Sequence, residues 1–355
     1  MPTINQYRTA FFFLFLSIAA VLSGQKNYRL TLIKGETGIL IDSVTVNSTL
    51  PNSARALAFP GDSATLTVPV YVPSDKLLIN TYAEGNYLGT VECWVDEGKA
   101  RVFLSVDSGR TMIDSIRGST LDDWVLAVTR EFNAREDITS GDGFYDLLTL
   151  ASNYAYELVS APFVRMCLEV WPNDYRKMMS LRNALYDQPG WLRRHPYYKP
   201  LLARINLVTY NKSVKLNSFN LIDRGGNPVN QPLPNTPYTV LYFWSLNSPS
   251  SDVDHQRMAA EREAEVFPKG VPFIGVCAPA DQTVWNNYLR ERDIPWISFM
   301  EVAEDNKLNS DKLGILVYPT YFLLNRRGRV MGIFNNYDAL RKTLEAVADA
   351  PKRGQ

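Results

Sequence analysis

The chain has few cysteines and no cysteine pair. Its 355 residues hold Cys93, Cys167 and Cys277, none in a Cys-x-x-Cys spacing. An odd, scattered set excludes a dithiol motif and gives no disulfide framework. Histidine is scarcer still, with His195 and His255 alone. His195 has no His, Cys or acidic cluster beside it at metal-ligand spacing, and no metal and no cofactor are expected. Excess charge of one sign is absent, since 37 Lys and Arg balance 37 Asp and Glu. Bulk attraction to nucleic acid or to an anionic membrane is therefore not expected. Beyond residues 10–22 no apolar run approaches the roughly 20 residues that cross a bilayer.

That first run is informative. Arg8 precedes it and the small residues Ser23 and Gly24 follow. A positive start, a short apolar stretch and a small-residue exit predict a secretory signal peptide over 1–24, cleaved near Gly24. An uncleaved anchor helix is the alternative. No cysteine follows the run, so a lipid anchor there is not expected, nor is an integral span after cleavage. Export leads to a compartment where disulfides persist. Unpaired cysteines there are read as inert core thiols. Cys93 faces the same way as the valines of a strand, Cys167 lies in an apolar helical stretch and Cys277 ends an apolar run.

A chain of 355 residues with 46% hydrophobic and 21% charged residues suggests two or three compact units. Residues 25–118 read as a β-rich domain, with period-two stretches at 28–33, 64–72, 77–82, 89–95 and 100–105. Turn-forming residues at 84–86 and 96–98 punctuate them, and a small antiparallel sandwich or barrel is predicted. Nothing in it has catalytic spacing. At Ser119 the pattern changes, with a capping side chain ahead of Asp122 and Asp123. Residues 119–212 read as a helical region of four or five short helices, over 121–134, 143–160, 163–171, 173–186 and 198–210. Pro162, Pro172, Pro189 and Pro196 are the predicted breaks. His195, in the basic segment 191–199, is expected in a surface loop at a solvated helix end.

From about 213 to 355 the pattern is more specific. A short strand and turn span 219–227, an apolar strand follows at 239–244, and Ser245-Leu-Asn-Ser-Pro-Ser-Ser251 leads into a helix ending near 265. A second buried strand at 272–277 and an amphipathic helix at 283–290 follow. Tyr318-Pro319-Thr320 then leads to a strand at 321–324, a turn at 325–328, a strand at 329–334 and a helix at 337–347. This order is an α/β sandwich, and the chain as a whole reads as multidomain α+β.

The order and motifs of the last part resemble the thioredoxin superfamily, TlpA/ResA-type exported thiol–disulfide proteins in particular, over about 135 residues. More loosely, residues 25–212 resemble extensions carried by Bacteroidota-like envelope proteins. The resemblance implies an exported protein of the periplasm or envelope of a Gram-negative bacterium. It also implies a Cys-Pro-x-Cys-like motif after Trp244, which here reads Ser248, Pro249 and Ser251, and a cis-proline at Pro319 before Thr320. Thiol chemistry needs a thiolate at a helix N-terminus and a second thiol to resolve the mixed disulfide. A serine supplies neither, so no catalytic residue is expected at Ser248 or Ser251.

As a different nucleophile Ser248 would need a base. His255, seven residues on, lies about 10 Å along the helix, a poor reach. Ser248 as N-cap, Pro249 as first helical residue and Asp252 and Asp254 in the first turns make a good helix start without catalysis. In redox-active relatives the residue before the cis-proline offers its backbone to an extended segment. That position is Tyr318, with Trp244, Asn247, Ser248 and Pro319 around it. Two readings are open: recognition of a protein or extended peptide there, as a binding or scaffolding component, or plain packing by Trp244 and Tyr318. The alternative function is a thiol–disulfide oxidoreductase or peroxidase working through Cys277.

Overall fold

The computed structural model describes residues 25–349 apart from 36–40, 51, 72–73, 97, 108–109, 136–140, 265–269, 295 and 305–307. The expected signal peptide at 1–24 lies outside the described residues. The chain groups into two compact units, one of residues 1–143, 152–162 and 188–196 and one of 144–151, 163–187 and 197–355.

In the first unit the strands are β1 (Gln25–Lys34), β2 (Ser43–Asn47), β3 (Arg55–Ala58), β4 (Ser63–Tyr71), β5 (Asp75–Ala83), β6 (Asn86–Val95), β7 (Lys99–Asp107) and β8 (Arg110–Arg117). They form two four-stranded sheets, ordered β4-β1-β7-β8 and β3-β2-β5-β6. Alternation points Leu30, Leu32, Val102 and Leu104 of one sheet, and Val44, Val46, Ile79 and Cys93 of the other, into one shared core. The expected sandwich is there with one difference: β1 and β7 pair in parallel. The chain visits the other sheet between them, and that crossover permits parallel pairing. Strands β2, β3 and β8 were not anticipated, because each is short or interrupted by small polar residues.

Six helices follow: α1 (Leu121–Ala134), α2 (Gly141–Asn153), α3 (Ser160–Val170), α4 (Tyr175–Ala184), α5 (Gly190–Arg194) and α6 (Lys199–Thr209). Pro162 sits in the first turn of α3 rather than between helices, where its missing N–H has no intrahelical partner to lose. These helices do not pack as a body of their own. Helix α1 groups with the sandwich, where the Asp122 carboxylate accepts a 2.7 Å bond from the Trp94 N–H. Leu207 of α6 belongs to the core of the second unit. Asn173 bonds both backbone groups of Ile333 there, at 3.0 and 2.7 Å.

His195 corrects the sequence reading, because it is buried in the first unit rather than exposed in a loop. Its Nε2 lies 2.7 Å from the Thr49 hydroxyl, which also donates to Asp75. Burial lowers its pKa to about 4.

The second unit is built on one seven-stranded sheet ordered β10-β9-β13-β12-β11-β14-β15. Its strands are β9 (Leu221–Ile222), β10 (Pro228–Val229), β11 (Tyr238–Trp244), β12 (Phe273–Cys277), β13 (Ile297–Glu301), β14 (Thr320–Asn325) and β15 (Val330–Phe334), with helices α7 (Pro249–Glu263), α8 (Gln282–Glu291) and α9 (Tyr337–Asp349). Strands β11, β12 and β13 run parallel and β14 antiparallel to β11. Central β11 is buried on both faces, which is why its sequence is a continuous apolar run rather than an alternation. Val240, Tyr242 and Trp244 pack toward residues of α7, α8 and α9. Leu241 and Phe243 join Leu207 of α6 and the segment around Leu216.

Candidate functional site

The site lies where β11 ends. Its last residue, Trp244, feeds a short turn, and α7 starts at Pro249 with Ser248 as N-cap, the Ser248 hydroxyl accepting from the Ser251 N–H at 3.3 Å. Proline fits the next position because that N–H would be unsatisfied anyway. The same Ser248 hydroxyl donates across the site to the Tyr318 carbonyl at 2.8 Å. The Tyr318–Pro319 peptide is cis. Ser248 and the Tyr318–Pro319 pair, 70 residues away in the chain, are thus brought together. Asn247 is exposed at the rim, its N–H donating to the Ser245 hydroxyl at 3.3 Å. Ser251 is buried, and its hydroxyl accepts from the Ser245 N–H at 3.4 Å. Trp244 is wholly buried, with His255 edge-on at 4.7 Å, so packing rather than the rim describes it.

His255 is not available to either serine as a base. His255 is buried with both ring nitrogens engaged, Nδ1 at 2.9 Å from the Tyr288 hydroxyl and Nε2 at 3.3 Å from the Tyr242 hydroxyl. Tyr288 donates to Asp252 at 2.9 Å, so it accepts from Nδ1–H and leaves Nε2 to accept from Tyr242. Trp296 donates to Tyr242 in turn. Burial lowers the His255 pKa to about 4, which keeps the ring neutral in this arrangement. At the other end Arg292 bonds both Asp252 oxygens, at 2.8 and 3.0 Å. Burial would raise the Asp252 carboxyl, but bonds from Tyr288 and Arg292 bring it below its usual range. Asp254 is the reverse case. Burial raises it despite bonds from the Tyr321 hydroxyl at 2.8 Å and the Tyr337 N–H at 3.0 Å.

Cys277 comes close to the site without belonging to its surface. It stands in register with Trp244, is buried, and its thiol is within reach of a hydrogen bond from Leu246 N–H. Burial pushes its pKa up to about 12, which removes the thiolate at neutral pH. Cys93 and Cys167 are also buried and raised. Their sequence context suggested this burial.

Sequence reading missed what secures the loop before the cis bond. Arg204 of α6 is fully buried, and its Nε donates to the Leu313 and Gly314 carbonyls at 3.2 and 2.9 Å. Gly314 has φ 64°, and a Cβ there would lie 2.2 Å from the Pro200 carbonyl oxygen, so only glycine fits. A buried arginine reads as an ordinary helix-surface residue in a linear pattern, and no spacing signal marked it. Among the described residues no group of His, Cys, Asp and Glu could hold a metal ion. No helix among them is long and apolar enough to cross a membrane.

Comparison with known proteins gives partial likenesses. No protein-family model matches the chain, and no curated protein matches it. Solved structures similar over part of the chain include a thiol-disulfide oxidoreductase from Bacteroides fragilis, 16% identical, covering 39% of this chain and 98% of its own with a TM-score of 0.31. The thioredoxin domain of a thiol-disulfide oxidoreductase from Bacteroides vulgatus is 19% identical, over 39% of this chain and 94% of that one, with a TM-score of 0.32. A secreted disulfide oxidoreductase from Mycobacterium tuberculosis is 16% identical, over 36% and 96%, with a TM-score of 0.30.

Proposed function

We propose that residues 213–355 are a thioredoxin-like domain that has lost its redox centre, and that the chain is an exported component of the cell envelope of a Gram-negative bacterium, binding or scaffolding a protein or extended peptide. The 2.8 Å bond from the Ser248 hydroxyl to the Tyr318 carbonyl carries this reading. At the helix start where a nucleophilic thiolate would have to stand there is a hydroxyl instead. It caps the helix and ties the residue before the cis-proline. Neither role needs an ionised group, and among the described residues no base or metal ligand set accompanies it. Reaction through Cys277 is disfavoured by its burial and raised pKa.

What such a site can still do is pair with backbone. An extended segment lying beside α7 would hydrogen-bond at Tyr318 in the manner of an added strand, and it would compete with Ser248 for that carbonyl. Panning a displayed library of extended peptides against the purified chain tests this. Enrichment by the native protein should be lost with Tyr318→Asp and strengthened with Ser248→Ala, which frees the carbonyl. No enrichment, or enrichment indifferent to both substitutions in folded protein, would count against the site.

A further inference from the structure

The outer face of the β4-β1-β7-β8 sheet carries a cation cluster although the chain's formal net charge is zero. In parallel register Arg29 lies opposite Lys99, and Thr31 opposite Arg101. On the next strand pair Arg101 lies opposite Arg117. All four cations are exposed. They line one surface cavity of about 410 Å³, completed by Thr31, Ala100 and Gly118, and among the described residues no carboxylate lines it.

The arrangement is unfavourable as it stands. Like charges directly opposite each other on adjacent strands repel, and here two such pairs lie in neighbouring rows, about 7 Å apart along the strand. Sheets ordinarily relieve this by interleaving acids. Among the described residues none of the four takes part in an ion pair. The Arg117 guanidinium lies over the Phe103 ring at 4.8 Å, which orients it without neutralising it. Asp114, farther along the same strand pair, is bonded to Ser105. Three guanidinium groups supply planar, fork-like donors suited to oxyanions. The cluster's small extent fits one compact, multiply charged group better than a long polyanion.

We infer that this face is a binding site for a compact phosphate-type anion of two or more negative charges, held by Arg29, Lys99, Arg101 and Arg117. The anion screens two repulsive pairs at once, so binding stabilises the fold and weakens as salt rises. The site is separate from the one at Ser248 and stands independently of the function proposed there.

Two arms test it on the full chain at low ionic strength, with Arg101→Gln/Arg117→Gln as the variant. In the first, inorganic pyrophosphate is titrated by calorimetry and thermal shift. The native chain should bind and melt higher, and the variant should lose at least tenfold in affinity. In the second, vesicles of phosphatidylglycerol and of phosphatidylcholine are floated with each protein. Flotation of native but not variant chain with phosphatidylglycerol alone assigns the anion to a lipid headgroup, and pyrophosphate binding without flotation assigns it to a free ligand. A variant that binds nothing yet melts at least as high as the native chain in ligand-free buffer supports the site rather than misfolding. Failure of both probes with native protein, or equal binding by the variant, would overturn the inference.

Discussion

The two units bury their polar groups in different ways. The sandwich core is largely aliphatic, with Leu30, Val46, Val68, Ile79 and Val102 in it, and the buried charged residues of that unit, Asp75, Lys76 and Asp122, lie outside this cluster. The second unit threads a polar chain through its core. Trp296, Tyr242, His255, Tyr288 and Asp252 bond in succession beside Trp244, and Arg292 closes the outer end. Yet each unit contains one buried histidine with a pKa of about 4. Burial, the first cause in both, sets that value more than the design of the surrounding network does.

Removal of a large buried side chain has the largest expected effect in either unit. Trp244→Ala should cost about 3–5 kcal/mol, because the indole packs against His255 and Tyr288 at the centre of the second unit. Phe59→Ala in the sandwich, equally buried, should cost about as much by cavity formation alone. Urea unfolding of both checks this. The sharper readout is pH, since only Trp244→Ala should make stability less steep in acid, by letting water reach His255.

Acid has the next largest effect. A neutral buried histidine with a folded pKa of about 4, against an unfolded value near 6.5, binds fewer protons than the unfolded chain between those values. Stability contributed this way is intact above about pH 7 and falls as pH drops, by on the order of 3 kcal/mol per histidine by pH 4. His195→Gln and His255→Gln should each flatten about half of that slope in denaturation measured from pH 7 to 4. A slope unchanged by both would mean that burial has been misassigned as the cause.

Smaller effects follow at the surfaces. Ser248→Ala removes an N-cap and should cost about 1 kcal/mol by thermal unfolding. Arg101→Gln should raise stability by about 0.2–1 kcal/mol at low salt and by less at high salt, by relieving its repulsion with Arg117.

How much of this could be read beforehand follows the same division. The Ser248–Ser251 helix start, the apolar β11 and the turn at residues 325–328 were legible because each is written in consecutive residues. The tie from Ser248 to Tyr318 was legible only as proximity, through the resemblance. The chain from Tyr242 to Arg292 was not, because Tyr288 of α8 and Arg292 just past its end bond to His255 and Asp252 of α7, and His255 in turn to Tyr242 of β11. His195 was misread for a related reason: arginines beside it suggested solvent, while Thr49, far away in sequence, holds it inside. The cation cluster is the extreme case. Balanced composition hid it, because strand register rather than sequence neighbourhood places Arg29, Lys99, Arg101 and Arg117 together. Strand β13 was missed because it is five residues long, with four consecutive buried positions and no alternation.

The most direct measurement compares thiol–disulfide exchange by the native chain with that of Ser248→Cys/Ser251→Cys. A silent native protein beside an active variant is the predicted result, since the helix start and the cis Tyr318–Pro319 loop would then be an intact scaffold lacking only its thiols. Exchange activity in the native protein, abolished by Cys277→Ser, would contradict the account.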